Sequence, residues 1–508
     1  MKETRYIELF TNPATLRLDE IPVMDYPGFA AFTDLLMGEE GTHCLHYFVL
    51  PGDTTFRFIC CMAADENHAI LVYSHEQPRL PGLTLPSLSA RHFQFHIFER
   101  EIHEEFGIEF AGHPWLKPVR FPSRPFDPSM QMDTYPFYTI EGEELHEVGV
   151  GPVHAGVIEP GHFRFICHGE QVLHLEIHLG YPHRGVERLF IEQRSLLQRS
   201  ILAESIAGDT AVGHTLAFAG AMESLAGIRP GENSDLERAI ALELERIAMH
   251  IGDTAALCND VAYQLGQVTC EALRTVIINT TQRWCGNRFG KGMIRPAGRP
   301  YPLNEEIVTV IRTNLDDVEK RYRHITDRIF TLPSVLARFE GTGRVTAMQA
   351  SLIGAVGLAA RSSGMHRDIR WSHPYAAFPK VACEPVILDK GDVWSRAMLR
   401  KSEVEQSFGI IRTLLDQDVR MKEPAAETNP PAFILPPSSL AVSLVEGWRG
   451  EICHVAVTDA GGELTAYKVK DPSVHNWMAL ALAVRNQEIS DFPLCNKSFN
   501  LSYCGHDL

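Results

Sequence analysis

The thiols, imidazoles and carboxylates are the residues of this chain able to do chemistry, and their spacing limits what they hold. Eleven cysteines are scattered from Cys44 to Cys504, and no two form a Cys-x-x-Cys pair. That spacing lets two thiolates converge on one metal, so a four-thiolate zinc or iron–sulfur site is not expected. Cys60 and Cys61 are adjacent, a poor geometry for shared ligation. Scatter and an odd count favour free thiols over a disulfide framework. Cys504-Gly505-His506 offers one thiolate and one imidazole, so a tight site there needs Cys495 or His214 to join. Charged residues are more informative. Glu243, Glu245, Arg246 and His250 interleave with Leu236, Ile240, Leu244, Ile247 and Ile251. A carboxylate buried beside Arg or His has a shifted pKa and can relay a proton; the same pair can equally tie two helices together.

The elements that must position these groups fall into two blocks. Residues 1–120 mix short β-type runs (Tyr47 to Leu50, Phe56 to Cys61, Ala69 to Tyr73) with a helical stretch from Phe95 to Phe106. A proline-rich passage follows, with Pro114, Pro118, Pro122, Pro125, Pro128 and Pro136, which predicts an extended strap over about 121–147. From 148 to 508 the pattern is mainly helical. Apolar residues recur at steps of three and four in the Leu236–Ile251 stretch, and similar periodicity runs from Glu187 to Gly220, Asn304 to Thr331 and Val393 to Leu415. Two β-type runs, Ile452 to Val457 and Leu464 to Val469, flank Gly461-Gly462 as a hairpin. The expected fold class is an α+β N-terminal domain followed by a mainly α-helical bundle domain with peripheral β-strands.

Composition excludes some functions. The chain has 508 residues, 45% of them hydrophobic, and a formal net charge of -17. Such an acidic balance argues against nucleic acid as a partner. No run approaches the ~20 apolar residues of a membrane-spanning helix. The first residues, Met1 to Arg5, lead into no apolar core of a secretory signal. The expected location is the cytoplasmic side, with any membrane contact made through partners.

Particular strings carry a family resemblance. Glu99-Arg100-Glu101, Phe106-Gly107-Ile108 and Gly112-His113-Pro114 resemble the 30-kilodalton subunit of respiratory complex I. Gly151-Pro152-Val153-His154, Glu159-Pro160-Gly161-His162-Phe163-Arg164, Tyr181, His183-Arg184-Gly185 and Glu187 follow. So do Arg361, Ser363-Gly364, Asp368, Arg370, His373-Pro374, Gly391-Asp392-Val393, Arg449-Gly450-Glu451, Asp471-Pro472-Ser473 and Asn476. This series resembles, in order, the large subunit of membrane-bound nickel–iron hydrogenases of the formate-hydrogenlyase type (group 4) and the 49-kilodalton subunit of complex I. The fused layout is that of the hydrogenase class.

The resemblance implies where the chemistry belongs. Nickel in the hydrogenases sits on two Cys-x-x-Cys pairs, because four soft thiolates must converge on it. At the matching places this chain has Ala207 and Thr210, then Ser502 and Gly505, while His214 is retained. The resemblance therefore implies a member lacking the nickel cysteines, with nickel not expected. In complex I the quinone headgroup is placed between a His and a Tyr, with a supporting Asp. Gly208 stands where the Tyr belongs, Ile158 or Pro160 where the His belongs, and Asp260 matches the Asp. Both reaction centres thus look dismantled. Glu159, His162, His214, Asp260, Asp368, Arg370 and Arg449 remain as proton-relay or pocket candidates, beside His183, Arg184 and Asp209.

The function implied is a subunit of a membrane-associated redox complex, of the kind that performs quinone- and NAD-linked electron transport and couples it to ion translocation. Its partners would be a small iron–sulfur subunit resembling the 20-kilodalton subunit of complex I and antiporter-like membrane subunits, the iron–sulfur cluster lying in the partner. Two other readings stay open: a non-catalytic structural or regulatory subunit, and a hydrogenase or quinone reductase with an atypical site.

Overall fold

The computed structural model describes residues 5–122, 126–154, 158–417 and 433–508; Pro125 of the strap lies outside them. The N-terminal sheet is a meander of Thr42–Pro51, Thr55–Ala64 and Ala69–Pro78, extended by Ile7–Leu9 and Val23–Met24. Alternation along its middle strand divides two cores. Phe58, Cys60, Met62 and Ala64 pack under the helices Tyr26–Met37 and His96–Phe106. Ile59, Cys61 and Ala63 join the core of the second block. Successive strand residues point to opposite faces, so the adjacent thiols Cys60 and Cys61 lie in different cores. Both faces are buried, which explains the unbroken apolar run. Gly107 ends helix His96–Phe106 with φ 67° and its N–H 2.8 Å from the His103 carbonyl, a left-handed cap that glycine adopts without strain.

The second block is organised around helix Glu232–Asp260, about 43 Å long at 1.5 Å per residue. Helices Ala211–Leu225, Gln264–Cys285, Glu305–Ile329 and Val393–Asp416 surround it. Asn304 and Asp392 cap two of these, accepting from the N–H groups of Ile307 and Ser395 at 2.9 and 2.8 Å. The predicted helical run from Glu187 to Gly220 is instead three helices, Val186–Glu192, Leu196–Ala203 and Ala211–Leu225. The break at 204–210 holds Ala207 and Thr210, the first pair of positions where the resemblance places thiolates.

Among the described residues there are four sheets, and two of them cross the expected block boundaries. Ala14–Arg17, from the start of the chain, pairs with Ser439–Glu446 as the edge of a four-stranded sheet that continues through Glu451–Thr458 and Leu464–Lys470. Leu145–Val150 begins within the expected strap and pairs with His162–His168, which pairs with Gln171–His178. The tail forms helices Ser473–Val484, Phe492–Phe499 and Tyr503–Asp507, the last fully buried. Among the described residues no helix is long and apolar enough to cross a membrane. All eleven cysteines are buried and free.

Candidate functional site

Two segments far apart in sequence carry the four positions where the resemblance places thiolates: 204–210, before helix Ala211–Leu225, and the tail turn 500–508. Ala207, Thr210, Ser502 and Gly505 are all buried. Two arginines stitch the segments together. Arg449 makes a fork to Asp209, 2.7 Å from each carboxylate oxygen, and reaches Thr210 Oγ1 at 3.2 Å and the Asn500 carbonyl at 2.5 Å. Arg184 donates to the Ser205, Ile206 and Cys504 carbonyls at 2.5, 2.9 and 3.2 Å. A planar guanidinium with five donors suits such cross-bracing. Asp209 fixes Arg449 in its charged form, well above the usual range.

These residues do not fit a nickel centre. A β-carbon at Gly505 would meet the Asp471 carboxylate at 2.6 Å, so the room for a thiolate there is filled by another side chain. Ser502 Oγ caps the last helix, accepting from Gly505 N–H at 2.9 Å. Thr210 Oγ1 is bonded to Arg449, and Ala207 offers no donor atom. The nearby Cys504 thiol is pushed up to about 12, by burial and then by the Glu159 carboxylate, so it stays protonated and is a poor ligand. Among the described residues no cluster of three or more His, Cys, Asp or Glu is arranged to hold a metal ion.

What the site does hold is an ordered proton chain. Tyr467 Oη lies 2.8 Å from His454 Nδ1, His454 Nε2 lies 3.1 Å from His214 Nδ1, and His214 Nε2 lies 3.0 Å from Asp471 Oδ2. All four residues are buried. Burial drives His454 well below the usual histidine range, so it is neutral. The hydrogen bond from His214 and the charge of Arg449 hold Asp471 ionised in spite of burial. Asp471, being ionised, accepts from His214 Nε2, and a neutral His454, with one donor and one acceptor nitrogen, links His214 Nδ1 to Tyr467 Oη. The chain ends against Gly505, at the vacated position.

The other expected site residues are placed differently. Asp368 and Arg370 are not at this centre. They belong to a buried charge hub beneath it, Arg370 holding Asp368 at 2.7 Å and Glu243 at 3.1 Å. Arg361 holds Glu403 and Glu446 at 2.7 Å each, and Arg246 reaches Glu243 and Glu403 at 3.3 Å. His250 lies 2.9 Å from Glu403. Four carboxylates here face three guanidiniums. Burial pushes Glu446 up to about 7 against the pull of Arg361. Arg246 also donates to the Glu446 and Gly447 carbonyls, at 2.7 and 3.2 Å. The hub thereby fixes the turn that carries Arg449, and Asp368 and Arg370 act on the site through it.

Glu159 touches the site from the solvent side, accepting from the Cys504 N–H at 3.0 Å while itself exposed. His162 sits on the three-stranded sheet with its ring edge-on to Phe137, 5.3 Å away, and burial lowers its pKa. Its partners are those of that sheet, not the 502–505 turn. Asp260 ends the long helix, half-buried, with Oδ2 unpartnered among the described residues and its pKa raised by burial. The carboxylate that meets the tail is Asp253, on the same face about 10 Å earlier along the helix. It accepts from Asn500 Nδ2 at 2.6 Å and Arg400 Nε at 2.9 Å. Ile158 is exposed and Gly208 has open space around it. Asp471, His454, Tyr467 and Asp253 were missed as site residues. The available signals were the Asp471-Pro472-Ser473 string and the alternation of the hairpin, which puts His454 and Tyr467 on its buried faces.

Glu245 adds a pH dependence. Its oxygens accept from the Val212 and Gly213 N–H groups at 2.8 and 3.1 Å, where helix Ala211–Leu225 begins. Burial nevertheless pushes it up to about 8. A carboxyl whose folded pKa exceeds its unfolded value stabilises fully below the unfolded value, and this is lost as pH rises to the folded one. Denaturation midpoints measured from pH 4.5 to 8 should therefore fall more steeply for the parent than for Glu245→Gln. The difference should approach about 1.4 kcal/mol per pH unit inside that window; parallel profiles would refute a protonated Glu245.

The chain matches the family described as respiratory-chain NADH dehydrogenase, 49 Kd subunit, over residues 260–439, and the 30 Kd subunit family over residues 29–134. It is 30% identical to the carbon monoxide-induced hydrogenase of Rhodospirillum rubrum over 356 residues, 70% of this chain and 97% of that protein. It is 27% identical to an NADH-quinone oxidoreductase subunit of Clostridium beijerinckii, over 68% of this chain and 94% of that one. Its fold resembles a chain of the membrane-bound sulfane sulfur reductase, an archaeal respiratory membrane complex, with a TM-score of 0.66 at 22% identity, covering 73% of this chain and all of that one. The chain therefore belongs to the family that unites hydrogenase large subunits with the 49- and 30-kilodalton subunits of respiratory NADH dehydrogenase.

Proposed function

We propose that this chain is the large subunit of a membrane-associated redox complex that couples electron transfer to ion translocation, with no nickel–iron centre of its own. Family membership supports the redox complex. The observation that supports the rest is the site itself: the Asp471 carboxylate fills the space beside Gly505, Arg449 holds Asp209 and Thr210, and the hydrogen-bonded series Tyr467–His454–His214–Asp471, which in this reading carries protons, ends at the same point. In this reading the subunit lies on the cytoplasmic face of the membrane, beside a small iron–sulfur subunit that carries the electrons and antiporter-like subunits that carry the ions. Glu159, on the solvent side of the Cys504 turn, is the entry group for protons.

The braces also suit a second reading, a subunit that holds its neighbours and transmits movement without turning over substrate. One experiment separates the readings. The purified complex is assayed for metals, then reconstituted in vesicles with the parent chain, Glu159→Gln or Asp471→Asn. The expected result is iron without stoichiometric nickel, and ion-coupled turnover lost in the variants with assembly intact. Stoichiometric nickel on this subunit would overturn the proposal. Unchanged coupled turnover in both variants would favour the structural reading.

A further inference from the structure

The N-terminal sheet and the four-stranded sheet of the second block meet through a knot of buried charge that neither block forms alone. His43, on strand Thr42–Pro51, puts Nε2 2.7 Å from Glu451 Oε2 and Nδ1 3.5 Å from Asp65 Oδ2. Lys470 reaches the other Glu451 oxygen at 2.6 Å and the Cys44 carbonyl at 3.1 Å. From the far side, His373 brings Nδ1 to 3.6 Å from Asp65 Oδ1. Arg367 adds a second cation whose field acts on both carboxylates, and the neutral His475 packs alongside. The side chains of His43, Asp65, Glu451 and Lys470 are at most 3% exposed.

Several of these atoms lack what burial demands. Both Asp65 oxygens, His43 Nδ1, both ring nitrogens of His475 and Arg367 Nε have no hydrogen-bond partner among the described residues. An ionised carboxylate buried without a hydrogen bond is costly, and a bare imidazole lone pair facing it at 3.5 Å adds repulsion. A proton on either Asp65 or His43 Nδ1 turns that repulsion into attraction, and water bridging the 3.5 Å gap, too long for a direct hydrogen bond, would satisfy both atoms. The Nε2 side is not available for exchange, because Lys470 and His43 together hold Glu451 ionised, well below the usual carboxylate range. Lys470 and Arg367 already balance the charges of Asp65 and Glu451. The additional proton therefore makes the knot net positive, so charge neutrality does not lock it in place.

We propose that Asp65 and His43 share one exchangeable proton, bridged to ordered water on their unpartnered atoms, as a proton-storage site in the joint between the two blocks. In the elementary step the proton passes between Asp65 Oδ2 and His43 Nδ1 through a bridging water, or from either to that water, and one proton is all that moves. Glu451 closes the turn that carries Arg449, so the stored charge sits at the root of the candidate site. A role in coupling rests on the function proposed above; the storage site itself does not.

The test is a pH titration of the assembled complex by infrared difference spectroscopy, in the parent and in Asp65→Asn and His43→Gln. Glutamine keeps a donor facing Glu451 and deletes only Nδ1, which protects the fold if the asparagine variant fails. The expected result is a protonated-carboxyl or imidazole signal in the parent that is lost in each variant that assembles. A signal that persists in His43→Gln, or none in the parent, overturns the site. Vesicle measurements on the same samples address the coupling separately: if the signal is lost while ion translocation per electron is unchanged, the site stands and its role in coupling fails.

Discussion

Glu403→Ala should destabilise this protein by about 3–5 kcal/mol, the loss seen when one partner of a buried charge network is removed. Glu403 accepts from Arg361 at 2.7 Å, His250 at 2.9 Å and Arg246 at 3.3 Å, and none of these side chains reaches solvent. Alanine leaves two guanidiniums facing one another with fewer anions and no water to replace them. Domain stabilities lie near 5–15 kcal/mol, so the loss is a large share of the total. Glu405, two residues along the same helix, pairs with Lys401 at 2.9 Å and is partly exposed. Glu405→Ala should cost less than about 1 kcal/mol. Denaturant midpoints for the two variants check the contrast, and equal midpoints would show that the hub contributes no special stability.

The second large effect is expected from one methyl group. Gly357 has φ 58°, and a β-carbon there would come within 2.1 Å of the Gly450 α-carbon and 2.3 Å of the Arg449 carbonyl oxygen. Gly450, at φ 138°, is equally intolerant from the other side. These two glycines press backbone against backbone and fix the turn that aims Arg449 at Asp209. Gly357→Ala must move that turn, because both contacts are backbone and cannot swing aside. Overpacking of this kind costs about 1–3 kcal/mol, and a shift of ~1 Å at a preorganised group costs up to ~100-fold in rate. Electron-transfer turnover of the purified complex should fall by at least ~10-fold while circular dichroism stays that of the folded chain. Gly364→Ala is the control: its φ is 92°, but its nearest neighbour is the Asp389 β-carbon at 3.9 Å. It also has a positive φ, at least as unfavourable for alanine, without the collision, so equal effects in the two variants would remove the steric argument.

Helix Glu232–Asp260 was legible because its apolar residues recur with helical period over a long stretch. The hairpin Glu451–Thr458 to Leu464–Lys470 was legible from its alternation and its Gly-Gly turn. Less legible was the break at 204–210. Its apolar spacing continues that of the helices on either side, and the groups that hold its non-helical course, Arg184, Arg449, Trp448 and Arg295, come from distant segments. Asp260 illustrates the limit for site residues. Helical periodicity puts Asp253 and Asp260 on one face, but it does not say at which height Asn500 and Arg400 arrive. Nothing local marks Ala14–Arg17 as the edge strand of a sheet more than 400 residues away, since strand partners are chosen by the core and not by neighbours in sequence.

By itself the sequence determined the family, the absence of thiolate pairs and the retention of His214, because these depend only on which residue types stand in which order. It also determined the long helices and the hairpin, whose periodicities are local. The tertiary structure alone decided that Asp471 fills the space beside Gly505, that Arg184 and Arg449 brace segments 204–210 and 500–508, and that His43 meets Asp65 and Glu451 across the joint. Each of these contacts joins residues remote along the chain. Their chemistry depends on distance and burial, which arise only when separate elements pack against one another and exclude water.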